Sequence, residues 1–237
     1  MATTVTAKTP YGFSVNIGEK ASGQTFIHKM ANYMWLPMLA MGIMVLAGTF
    51  VVGIFQADLA SDTFPGSDAV DRANLETLKV LQPGIIFVGV AFLLSGISFL
   101  LASVLGAMRW GGGEIQERHA GQVHTPRMPV SAWAFLILMM TGLMVELGTL
   151  GLHIYAAVQA HDYYITGVPP AADATHLLGR AQTVLAYAAP LRMVGIGFLL
   201  AGIVAALYTI GNVLRFQFDR ITAIILNRGD VTVGYGS

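Results

Sequence analysis

The chain contains no cysteine. That absence excludes disulfide bridges, thiolate-bound zinc, iron–sulfur clusters and cysteine nucleophiles together. Charge is scarce as well: Asp, Glu, Lys and Arg make up 11% of 237 residues, against about 25% in a soluble domain, which needs them to cover its surface. Acidic and basic side chains balance at 13 each, so the formal net charge is zero and no long-range field draws in nucleic acid. The glycines at Gly111, Gly112 and Gly113 lack the Lys and Ser/Thr spacing of a phosphate-binding loop. The length leaves no room for a separate soluble domain beside a membrane domain.

What fills the chain instead is apolar sequence. Hydrophobic residues account for 55% of it. Four stretches, 35–55, 84–108, 130–160 and 193–214, each exceed the roughly 20 residues that cross a hydrocarbon core of about 30 Å. Three of them carry no charged residue. The expected fold is an all-α integral membrane bundle of four transmembrane helices.

Loop composition orients it. Lys8, Lys20, Lys29, Arg109, Arg118, Arg127, Arg215, Arg220 and Arg228 lie in the N-terminal segment, the 109–129 connection and the C-terminal tail. The other two connections hold only Arg72, Lys79 and Arg180, with Arg192 at the start of the last span, and are rich in acid, with Asp58, Asp62, Asp68, Asp71 and Glu76 in one and Asp162 and Asp173 in the other. Lys and Arg concentrate on the cytoplasmic side, so both termini are expected there, in a bacterial inner or intracytoplasmic membrane. The first 30 residues lack the apolar core of a cleavable signal and are expected to be retained.

Each outer connection ends in an amphipathic run. Residues 67–81 place Val70, Leu75, Leu78 and Leu81 on one face before Pro83, and 173–188 repeat the design before Pro190. Short helices along the outer membrane face are expected. Extension of the next span through its proline is the alternative.

The second half repeats the first. Val88, Gly89, Phe92, Leu93, Leu94, Gly96 and Ile97 recur as Val194, Gly195, Phe198, Leu199, Leu200, Gly202 and Ile203, with Arg109 matching Arg215. Gly42, Met44, Val45, Gly48 and Thr49 recur as Gly142, Met144, Val145, Gly148 and Thr149. Matches in both helices predict two duplicated hairpins forming a parallel repeat about an axis along the membrane normal. The organisation is then an N-terminal segment 1–30, a first hairpin 31–109, a cytoplasmic loop 110–129, a second hairpin 130–215 and a tail 216–237. Gly89, Gly96 and Ser103 fall seven apart, as do Gly195, Gly202 and Thr209. Each trio predicts a seam of small side chains packed on another helix.

Few residues could carry chemistry. Glu146 sits mid-span where the first repeat has Leu46; there an ionisable group must be protonated, paired or wet. His153 lies two turns further on the same face, about 10.5 Å along the axis, so a relay between them needs a third group, with Tyr155 or a partner residue as candidates. His153, His161 and Asp162 are the candidate metal ligands, with His176 in the next segment. Haem is disfavoured, because only His153 lies within a span. Met30, Met34, Met38, Met41 and Met44 form a stripe that fits helix packing or, alternatively, Cu(I).

The leading expectation is a non-catalytic subunit of a multisubunit integral-membrane complex, packed against lipid and partner subunits. A redox subunit with a quinone or metal site around Glu146, His153 and His161 is the alternative. A small transporter or copper-handling protein comes third. A parallel repeat of two-span units weakens the transporter reading, since inverted repeats need an odd number of spans.

Overall fold

A computed structural model describes residues 5–17, 26–62, 68–120, 124–127, 129–166 and 174–226. Four long helices dominate: α1 (Phe26–Asp62), α2 (Ala69–Ala120), α3 (Val130–Ile165) and α4 (Thr175–Ile225). Each contains a stretch long and apolar enough to cross a membrane, which fits an integral multi-pass membrane protein. At about 1.5 Å per residue, even the 36 residues of α3 exceed the hydrocarbon thickness, so the helices extend past the apolar stretches that define them.

The separate amphipathic helices expected in the outer connections do not form. Residues 69–81 are the first turns of α2, which continues through Pro83, and 175–188 open α4, which continues through Pro190. Proline removes one backbone donor and crowds the carbonyl four residues back. Long membrane helices tolerate this because neighbouring groups re-satisfy the freed carbonyl. Asp68 caps α2, its carboxylate accepting the Val70 amide at 3.3 Å. Ser67 and Asp173, the first residues of the two amphipathic runs read from the sequence, lie outside the described residues.

The 110–129 connection is also more ordered than a loop. Helix α2 runs to Ala120, and a strand follows. Strands β1 (Val5–Lys8), β2 (Ser14–Ile17) and β3 (His124–Pro126) form an antiparallel sheet in that order. Val5 pairs with Ile17, and Val15 with Pro126. Gly12 turns the first hairpin at a φ of 78°, a conformation costly for any side chain.

The helices contribute to two compact units. One comprises Met1–Leu36, Ile97–Met139 and Ala201–Ser237. Its sheet buries Phe13 and Val15 against Phe216 of α4, with the two phenyl rings edge to face at 5.5 Å. The Tyr11 hydroxyl donates to Asp219, and Arg127 Nε donates to Asn16 at 2.8 Å. Helix pairs here meet through small and polar groups. Ser103 of α2 bonds Asn32 of α1, Thr209 of α4 bonds Ser131 of α3 at 2.6 Å, and Gln116 of α2 donates to Gln217 of α4 at 3.1 Å. A Cβ on Gly202 would lie 3.4 Å from the Met139 amide nitrogen.

The other unit comprises Pro37–Gly96 and Met140–Leu200. Its helices approach at glycine. A Cβ on Gly42 would stand 2.7 Å from the Leu93 nitrogen, one on Gly89 2.9 Å from the Leu46 side chain, and one on Gly96 2.8 Å from the Leu39 nitrogen. Between α3 and α4, a Cβ on Gly142 would lie 2.8 Å from the Gly195 carbonyl, and one on Gly195 would strike Glu146. Without a water-driven force between apolar helices, close backbone contact of this kind holds them together.

Candidate functional site: a buried polar cluster

The second of these units buries an acid and an imidazole on one helix face. Along α3, Glu146, Thr149 and His153 recur at three- and four-residue spacing and share one buried face. Glu146 is fully buried. The Thr149 hydroxyl donates to the Glu146 backbone carbonyl at 2.8 Å, and His153 Nδ1 lies 2.8 Å from the Thr149 carbonyl. A carbonyl only accepts, so Nδ1 carries the hydrogen, and in the neutral ring Nε2 is left as the acceptor.

Two further helices close the site. Gly84 of α2 lies under the His153 ring, where an added Cβ would stand 2.8 Å from Cγ. Only glycine leaves the ring that room. Arg192 of α4 stacks its guanidinium 4.6 Å from the centre of Phe87 of α2, a cation–π contact that strengthens when desolvated. Its charge acts on both Glu146 and His153, yet its Nε and Nη1 are buried without hydrogen-bond partners. Both Glu146 carboxylate oxygens are likewise unpartnered. The Ile196 amide and the Thr149 hydroxyl lie nearby. Both hydrogens are committed, one to the helix ladder and the other to the Glu146 carbonyl.

The sequence singles out Glu146 and His153 but not Arg192, which stands at the start of the last apolar stretch. It also offers Tyr155 as a bridging candidate. Tyr155 is exposed, on a different face of α3; the third charged group is Arg192.

Toward the C-terminal end of α3 from His153, α2 and α3 line a cleft of about 220 Å³ with Thr77, Leu81, Ile154, Ala157, Val158 and His161. Thr77 spends its hydrogen on the Ala73 carbonyl at 2.7 Å. His161 Nδ1 stands 3.7 Å from Asp162 Oδ1. Arg72 stacks over Tyr164 at 5.5 Å.

His153, His161 and Asp162 do not assemble: among the described residues no three His, Asp or Glu side chains are placed to share a metal. His176 is exposed. The methionine stripe divides, with Met30, Met34 and Met38 half-buried and Met41 and Met44 exposed. A continuous thioether track would need all five on one side.

No protein-family model, curated protein or solved structure matches this chain. The reading of the site therefore rests on its own residues.

Proposed function

We propose that this chain is an accessory subunit of a larger integral-membrane complex, seating partner helices on its outer faces. The supporting observation is a set of glycines within the spans that serve no contact with another helix among the described residues. Gly48 of α1, Gly148 and Gly151 of α3, and Gly197 of α4 have open space where a Cβ would be. A helix-interior glycine costs roughly 0.5–1 kcal/mol relative to alanine, so its presence needs another reason. Close approach of an external helix is the reason membrane interfaces supply. Helix α1 adds to this, burying only 11% of its most apolar window against 44% for α2.

The test is purification from native membranes, with identification of the proteins retained. Gly148→Leu and Gly151→Leu should reduce that retention at least several-fold while the isolated chain keeps its stability. Recovery of the chain alone under mild extraction would sink the proposal.

Two finer readings accompany it. Duplication is supported by corresponding contacts in the two hairpins: Gly42 with Leu93, Gly89 with Leu46 and Gly96 with Leu39 match Gly142 with Leu199, Gly195 with Glu146 and Gly202 with Met139. Placement in a bacterial inner membrane with both termini cytoplasmic rests on the charge bias. Because no native cysteine competes, single substitutions Lys8→Cys and Ser61→Cys can be probed with an impermeant maleimide. The orientation requires that only Ser61→Cys react from the outer side.

The cleft between α2 and α3 favours a second reading, a quinone site in a redox complex. Its walls are apolar, while Thr77 and His161 supply hydrogen-bonding tips, the composition expected of a small-molecule pocket. Photolabelling with an azido-quinone, blocked by Val158→Trp, would support it. Equal labelling of both proteins would remove it.

A further inference from the structure

Glu146 fills, between α3 and α4, the seat that Leu46 fills between α1 and α2. Each side chain lies across a glycine of the following helix, Gly195 and Gly89. Leucine demonstrates that packing in such a seat needs only an apolar side chain of that size. An ionisable group there costs at least about 2.5–3.5 kcal/mol on insertion scales, and hydrogen bonding recovers none of it, because neither oxygen has a partner. Arg192 repeats the pattern with two buried, unpartnered nitrogens. A purely structural polar bridge would satisfy its own atoms. This one leaves two acceptors and two donors open in the same interior.

We propose that Glu146 is a proton-binding site that loads and unloads as the protein works, with Arg192 as its counter-charge. Loaded, the side chain is a neutral carboxylic acid suited to an apolar interior. Unloaded, it is a carboxylate balanced by the fixed positive charge of Arg192, and the proton passes to the aqueous phase. The groups facing it are few. Helix α4 sets Gly195 against the carboxylate and supplies the charge of Arg192, which stacks on the uncharged Phe87 of α2, and on its own helix His153 lies two turns away with its Nδ1 hydrogen on the Thr149 carbonyl. A buried acid and imidazole on one helix, with a fixed cation on the next, are the parts from which intramembrane proton sites are built. The inference is independent of the accessory role, since it concerns the isolated chain.

The test uses the full chain in lipid nanodiscs. Dicyclohexylcarbodiimide attacks protonated carboxyl groups in apolar surroundings, and peptide mass spectrometry reads the modified residue. Glu146 should be labelled at acidic pH, with labelling falling at least ten-fold on the alkaline side. In Arg192→Gln, the labelled fraction at neutral pH should rise several-fold, because the carboxylate has lost its counter-charge; Arg192→Lys should restore the original profile. Infrared difference spectra between acidic and alkaline samples should contain a protonated-carboxyl carbonyl band that Glu146→Gln abolishes. That measurement on the unmodified chain still decides if an Arg192 variant does not insert. Labelling independent of pH, or a carboxyl band that persists throughout, would mean a permanently protonated structural group and overturn the proposal.

Discussion

The Glu146 carboxylate rests against Gly195 of α4, whose own carbonyl lies beside Gly142 of α3. What a side chain would meet at each seam glycine differs, and the difference ranks the substitutions. At Gly96 a Cβ would meet the Leu39 backbone at 2.8 Å, so the helices must part. Gly96→Ala should cost about 1–3 kcal/mol, the range for overpacking. Gly195→Ala meets the mobile end of a side chain and should cost less. Gly202→Ala meets nothing nearer than 3.4 Å and should be neutral or stabilising by up to about 1 kcal/mol through helix propensity. Thermal unfolding in one detergent orders the three. A Gly96→Ala variant as stable as Gly202→Ala would refute the packing described for α1 and α2.

Replacing Glu146 tests the energetic side of the same seat. Glu146→Leu reproduces the Leu46 arrangement and removes a buried ionisable group, so it should stabilise the chain by roughly 1–3 kcal/mol. Arg192→Leu alone strips Glu146 of its counter-charge and should give no such gain. A double-mutant cycle should return a coupling of about 0.5–3 kcal/mol. Additive effects would mean the two groups do not sense each other.

Much of this fold was legible because lipid simplifies the code. Spans follow from apolar length, and the seven-residue spacing of Gly89, Gly96 and Ser103 marked the face that meets α1. Three features escaped for physical reasons. Prolines 83 and 190 favour stops on sequence alone, yet α2 and α4 run through both, which is the alternative the sequence left open. Arg192 stands at the start of the last apolar stretch, and nothing in the sequence links it to Glu146 on another helix. The sheet joins the N-terminal residues to 124–126 with strands of three or four residues. Segments so short carry no alternation signal, and their pairing is non-local. The cluster was therefore half visible: its acid and imidazole stood out against apolar sequence, while the cation and the glycine beneath the ring became apparent only through packing.

The sheet's attachment to α4 has its own pH dependence. The Tyr11 hydroxyl donates to Asp219. That hydrogen bond, followed by burial and the Asp219 charge, holds the phenol above its ordinary value, with Arg215 opposing. A pKa raised on folding means the neutral form is the one stabilised. The contribution is complete below the unfolded value of about 10 and is lost as pH rises through the folded one. Deprotonation also sets a phenolate against a carboxylate. Loosening of the sheet from the end of α4 should therefore begin on the alkaline side of pH ~10, with no matching step in acid from this group. Tyr11→Phe should lose the stabilisation at neutral pH and flatten the alkaline step. Amide hydrogen exchange in residues 5–17, followed at neutral and strongly alkaline pH, reads both effects. Equal alkaline loosening in Tyr11→Phe would place the titrating group elsewhere.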